Sequence, residues 1–174
     1  MEWKEVLRAE YEQNYSIVEK LLDLVSDDEL EWKPTIGNNW MSMGQLLRHL
    51  ASACGGIVKG FVTEDWGMPS DFDMSKLTLD MVVPKLDQLK SVSSVTDAKA
   101  RLAADKKTAF EYLDKCTEEA LTTKMVKAPL NQPDAPLGVR LLNAAEHLDH
   151  HKDQLFYYLK MQGKPVSTAN LWGM

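Results

Sequence analysis

A chain of 174 residues, 44% hydrophobic and 26% charged, is long enough to bury its own core and has the balance of an ordinary globular protein. Lys+Arg 20 against Asp+Glu 26 leaves a net charge of −6, so no basic excess exists to neutralise phosphates and no nucleic-acid partner is expected. No run approaches the ~20 apolar residues of a membrane span, and the mixed-charge start MEWKEVLRAEYE lacks a signal peptide's apolar stretch, so the expectation is a cytoplasmic protein without a membrane partner.

No repeat, low-complexity tract or linker divides the sequence, so residues 1–174 read as a single domain. The first helix is expected from about Trp3 to Val25. Leu7, Tyr11, Asn14, Tyr15, Val18, Leu21, Leu22 and Val25 recur at spacings of three and four, the mark of one buried helical face. SDDELEWKPTIGNN then breaks the pattern with Pro34, Gly37 and paired asparagines.

The second helix has the clearest start. Ser42 is followed three residues later by Gln45, a capping box that satisfies two orphan backbone N–H groups, and Met41 and Leu46 are placed for a hydrophobic staple. Its buried face reads Leu46, Leu50, Ala53, Ile57 and Phe61, with His49 close to the centre of that face and pointing inward. Gly55 and Gly56 weaken this helix midway and let another element approach closely. Residues 62–95 carry little pattern: GMPSDFDMSK reads as loop, and MVVPKLDQLK holds a short helix begun near Pro84.

The third helix is expected after Thr96 as N-cap, with Leu102, the stem of Lys106, Ala109, Leu113 and Cys116 on one face. TEEALTTKMVKAPLNQPDAPLG reads as a connection, since its three prolines are incompatible with helix interior. The fourth helix spans about Leu137 to Gln162, with Gly163 as C-cap and Pro165 stopping any continuation. Its apolar stripe is Leu141, Ala144, Leu148, Leu155 and Tyr158. His151 falls within that stripe, His147 at its edge, and His150 points away. With no convincing alternating strands, the fold should be all-α, and four such helices with two long connections suggest a four-helix bundle.

The candidate site is the set His49, His147 and His151, three of only four histidines in the chain. Imidazole is the commonest protein metal ligand, and His147 and His151 lie one above the other on a helix face. Three imidazoles closing on one point would bind a divalent metal and leave positions open for water or substrate. A lone histidine on an apolar helix face, His49 included, reads more readily as a hydrogen-bonded core residue than as a ligand, and a metal-free bundle with satisfied histidines is the plain alternative. HLDHH is not the HExxH of zinc proteases, because Leu148 stands at the glutamate position, so no general base comes from that pattern. Glu146 and Asp149 flank the motif, where either could orient a ring, although a solvated helix face is the simpler account. Cys54 and Cys116 form no CxxC pair and read as reduced fillers, while Trp40 could line a pocket mouth.

Two blocks carry a family resemblance. EWKPTIGNNWMSMGQLLRHLA and EHLDHHKDQLFYYLKMQGKP resemble the DinB-like superfamily, which also contains the YfiT-like proteins: the first its proline-containing lead-in, capped second helix and first histidine, the second its closing H-x-x-H-H-[RK]-x-Q helix with trailing glycine. Asp153 stands where a glycine is common in that family. The resemblance covers nearly the whole chain. It implies an antiparallel four-helix bundle with long connections and a metal-binding triad of His49, His147 and His151. It implies a divalent metal, zinc or nickel foremost, with iron and manganese as further choices. It also implies frequent homodimers, and an activity like that of thiol-dependent transferases or isomerases that use bacillithiol, mycothiol or glutathione.

Two functions follow as expectations. One is a metal-dependent, thiol-dependent transferase or isomerase, in which a metal on three neutral imidazoles binds a low-molecular-weight thiol as thiolate and directs it at a small electrophilic substrate. Its general acid or base is not identified; Glu146, Asp149, Tyr11 and Tyr15 are the residues available. The other is a non-enzymatic metal-binding bundle that senses stress or a ligand. A purely structural metal usually takes four protein ligands, and the sequence offers three.

Overall fold

The computed structural model describes residues 2–69, 71–73, 76–82, 85–130 and 132–174, with Asp80 described for its backbone alone. The described chain is mostly helical. Helix α1 (Trp3–Leu22) forms where the sequence pattern places it, and its expected face, from Leu7 through Tyr11, Tyr15 and Val18 to Leu22, is buried. No side chain caps it from Glu2; instead the Glu118 carboxylate accepts from the Trp3 and Lys4 backbone N–H groups, both at 2.8 Å. That long-range contact satisfies two of the helix's orphan donors and places negative charge at the positive end of its dipole.

Helix α2 (Met43–Leu50) starts at the expected capping box: Ser42 Oγ accepts from the Gln45 N–H at 3.3 Å, and Gln45 Oε1 accepts from the Ser42 N–H at 2.8 Å. The expected single helix through Phe61 is in fact two. The first stops at Leu50, and α3 (Gly55–Thr63) begins after a tight turn. Two interactions fix the break. Ser52 Oγ donates back to the carbonyls of Arg48 and His49, each at 3.2 Å. The Asp105 carboxylate accepts from the Cys54 N–H at 3.2 Å, at the residue that opens α3. Gly55 makes that approach feasible, since a Cβ there would lie 2.2 Å from the Asp105 backbone oxygen. The glycine is therefore the close-approach point that its place in the sequence implies, and a sharper breaker than a mere weakening of one helix.

A short helix, α4 (Leu79–Val82), and a 3-10 turn at Leu86–Gln88 stand on either side of Pro84, which itself lies outside the described residues. Helix α5 (Val95–Asp114) is capped by Ser94, whose hydroxyl accepts from the Asp97 N–H at 3.0 Å, and not by Thr96. The shift of two residues follows from the hydroxyl that reaches a free N–H three positions on. The connection before the last long helix is more ordered than its prolines suggest. It holds α6 (Glu118–Thr123), capped by Thr117, and a two-residue antiparallel ladder of β1 (Met125–Val126) with β2 (Ala135–Pro136).

Helix α7 (Leu137–Met161) touches α1, α2, α3 and α6, and so forms the centre of the packing. Its expected stripe is buried, and Gly163 adopts φ +77°, the left-handed conformation of a helix-ending glycine. A further short helix, α8 (Thr168–Trp172), lies against α1. Buried phenols tie the helices together: Tyr11 donates to the Leu141 carbonyl at 3.0 Å, and Tyr15 to the Asp105 carboxylate at 2.7 Å. Asp105 was not legible as a core residue, yet it is 9% exposed and joins α5 to both α1 and the α2–α3 break. No helix is long and apolar enough to cross a membrane among the described residues.

Candidate metal centre

His49 is the penultimate residue of α2, and His147 and His151 stand one turn apart on α7. The packing of α2 on α7 brings the three rings together. Ring centroids are 4.2 Å apart for His49 and His151, 4.7 Å for His147 and His151, and 5.3 Å for His49 and His147, all edge to face. One ligand nitrogen from each lies within 4.8 Å of the other two, and among the described residues no other His, Cys, Asp or Glu group has such spacing. Three imidazole nitrogens around a single zinc ion would be about 3–4 Å apart, given bonds of 2.0–2.1 Å, so the arrangement is on the right scale.

Hydrogen bonds set which nitrogen each α7 ring presents. His147 Nδ1 donates to the Ala53 backbone carbonyl at 2.7 Å, and His151 Nδ1 donates to Gln154 Oε1 at 2.7 Å. Carbonyl oxygens only accept, so both Nδ1 atoms carry the proton and both Nε2 atoms are bare in the neutral rings. Those two Nε2 atoms face each other at 3.0 Å. Opposed lone pairs at that distance repel, and a cation between them turns the repulsion into coordination.

All three rings are half-buried rather than fully buried. Burial holds His49 below the usual histidine range, with a smaller contribution from His147. Burial also pushes His151 down to about 4, offset in part by its bond to Gln154 and reinforced by the other histidines. Both groups are thus neutral at pH 7, the form that ligates.

The other residues that the sequence offered as candidates stand apart from the three rings. His150 is exposed and lines the neighbouring cavity instead of joining the three rings. Glu146 accepts from Asn143 Nδ2 at 2.9 Å and Asp149 from the buried Lys152 ammonium at 2.5 Å, so neither orients a histidine ring. Asp153 also pairs with Lys152, at 3.3 Å. Tyr11 and Tyr15 are fully buried with their hydroxyls committed, and burial raises both phenols well above their ordinary range, which removes them as bases. Cys54 and Cys116 are buried thiols, and burial pushes Cys54 up to about 12. Trp40 lines a surface groove with Glu31 and Lys33 and stacks edge to face on Tyr158, rather than standing over the histidines.

Beside the triad lies a cavity of about 500 Å³ lined by Ile57, Phe61, Trp66, Ala144, His147 and His150. Glu146 is the carboxylate in this wall. Of the two orienting groups, Gln154 closes the H-x-x-H-H-[RK]-x-Q block but had no role assigned to it, and the Ala53 carbonyl was not picked out from the sequence. Gln154 lies three residues after His151, a spacing that signals a ring partner on one helix face. The Ala53 carbonyl has no side-chain signal at all.

The model of the DinB superfamily matches residues 10–155, a span that includes all three histidines. The fold is similar to that of a DinB-like protein from Bacillus cereus, with 20% identity, a TM-score of 0.65, and coverage of 94% of this chain and 95% of that one. It is also similar to a DinB-like protein from Bacillus subtilis, with 17% identity, a TM-score of 0.63, and coverage of 92% and 94%. Among curated proteins, none is similar enough in sequence to match.

Proposed function

The chain belongs to the DinB superfamily, and from that premise we propose that it is a divalent-metal protein acting as a thiol-dependent transferase or isomerase on a small electrophilic molecule. In this reading His49, His147 and His151 are the ligands, zinc or nickel is the foremost metal, and residues 1–174 form one antiparallel four-helix bundle with long connections. The observation that carries it is the pair of bare Nε2 atoms of His147 and His151, 3.0 Å apart, with His49 beside them. Without a cation that arrangement is unfavourable; with one it is a binding site.

When bound, the metal would supply positive charge that stabilises a thiolate or lowers the proton affinity of a bound water. The chain's own residues do the rest. The Ala53 carbonyl and Gln154 hold two rings with Nε2 presented, and such partners raise ligand basicity. Ile57, Phe61, Trp66 and Ala144 give the cavity an apolar wall against which a small electrophile would lie. Glu146, on the same wall, is the carboxylate available to carry a proton. Three protein ligands leave room for a nucleophile, which favours reaction chemistry over a closed structural site.

Elemental analysis of protein purified without a histidine tag, beside a His49→Ala variant, tests the ligand set: metal in the parent and none in the variant is expected. Conjugation of bacillithiol, mycothiol or glutathione to electrophiles, abolished by a chelator and restored by metal, tests the activity. A metal-loaded protein that turns over no thiol would favour the non-enzymatic sensing role.

A further inference from the structure

The cavity beside His147 contains a charge that the proposed chemistry leaves unused. Arg140 stands two helical turns before His147 on α7, and its side chain lines the same cavity. It is 8% exposed. One terminal nitrogen donates to Gln132 Oε1 at 3.1 Å and the other to the Pro133 backbone carbonyl, while the buried Nε has no acceptor. Both acceptors are neutral, and among the described residues no carboxylate pairs with this guanidinium. Glu146, on the same wall, is turned to Asn143.

Lys152 differs from Arg140 in having acidic partners. That lysine is the other buried cation of α7, and it is held by Asp149 and Asp153. A buried cation without a counter-charge is costly, and natural chains seldom leave one on a cavity wall without use. Two of the guanidinium's five donors are taken by neutral oxygens, and the fork geometry of the group matches a carboxylate.

The geometry points to Arg140 as the anchor for a carboxylate on the substrate, whose apolar body lies along Ile57, Phe61 and Trp66 and whose far end reaches His147. The seven residues from Arg140 to His147 span roughly 10 Å of helix axis, at about 1.5 Å per residue. A ligand of that length fits a cavity of about 500 Å³. The wall holds one fixed cation and one carboxylate, which suits a monoanion better than a dianionic phosphate. The assignment of the far end rests on the metal-centre reading; the carboxylate anchor stands on Arg140 alone.

The test titrates the full chain, as purified and after chelation, with 4-phenylbutyrate, its neutral amide 4-phenylbutyramide, and inorganic phosphate, followed by calorimetry. Saturable binding of the acid, about tenfold tighter than the amide, is expected in both preparations, with phosphate weaker than either. Arg140→Met should fold, since it removes a buried charge that no carboxylate among the described residues pairs, should keep its metal content, and should bind acid and amide alike. Arg140→Lys should retain part of the preference, because it keeps the charge and loses the fork. Equal binding of acid and amide by the parent, absent binding of the acid, tighter binding of phosphate, or a folded Arg140→Met that still prefers the acid would each overturn the proposal. Protein that carries no metal as purified and takes up neither added zinc nor added nickel, yet prefers the acid, refutes the metal centre and leaves the anchor standing.

Discussion

His147 Nδ1 donates to the Ala53 carbonyl at 2.7 Å, across 94 residues of sequence. In an unbroken helix that oxygen would accept from an N–H four residues later. It is free because the chain turns between α2 and α3, at Ser52 to Cys54, and the turn is held by Asp105 and admitted by Gly55. The interruption of one helix thus supplies the group that orients a ring on another.

Replacing any one of His49, His147 and His151 by alanine should reduce metal content to that of a chelated control, whereas His150→Ala should retain the parent's content. Mass-spectrometric metal analysis of the four variants decides the point, and a loss with His150→Ala alone would refute the triad.

Gln154→Leu removes the acceptor of His151 Nδ1 while keeping side-chain bulk. Affinity for the metal should fall by about 10–100-fold, the usual consequence of losing such a partner, with little change in thermal stability. Competition with a calibrated chelator measures it; unaltered affinity would mean that the ring is held by packing alone.

Gly55→Ala forces a methyl group against the Asp105 backbone oxygen, 2.2 Å from the Cβ position. A loss of about 1–3 kcal/mol in urea denaturation is expected, as for other overpacked sites. Metal affinity should weaken as well, because the Ala53 carbonyl moves with the turn. Gly56→Ala, where a Cβ meets nothing within 4 Å, is the matched control.

Tyr15→Phe deletes the hydroxyl that donates to buried Asp105 at 2.7 Å. Stability should drop by roughly 1–3 kcal/mol, the cost of depriving a buried acceptor of its donor. The Cys54 N–H still reaches the carboxylate, so metal content should be unchanged. A loss of metal with preserved stability would contradict this purely structural role.

Stability of the metal-free protein should fall as acid is added. Burial lowers His151 to about 4 from an ordinary value of 6.5, and lowers His49 as well. Below 6.5 the unfolded chain therefore takes up protons that the folded chain refuses, and the equilibrium shifts toward unfolding until His151 itself protonates near 4. The His151→Leu variant should lose part of this pH dependence in chemical denaturation measured between about pH 7 and pH 4. An identical profile would remove His151 as a contributor.

Periodicity alone determined the buried faces of α1 and α7, since a spacing of three and four leaves little choice about which side meets the core. The Ser42 and Gln45 capping box determined where α2 starts, because both partners lie within one turn. The histidine pair on α7 was equally legible, as its geometry is a property of one helix. The break after Leu50 was not: it depends on Asp105, 51 residues from Cys54, and on α5 coming close enough to touch Gly55. The same holds for the Ala53 carbonyl and for Arg140, whereas Gln154 stands one turn from His151 on its own helix. A backbone carbonyl has no residue type to betray it, and an arginine looks solvent-bound until the fold shows which acids it fails to meet. Local rules decided the buried helix faces and the start of α2; contacts between distant segments decided where α2 breaks and how His147 is held, because only packing can bring such groups within hydrogen-bonding distance.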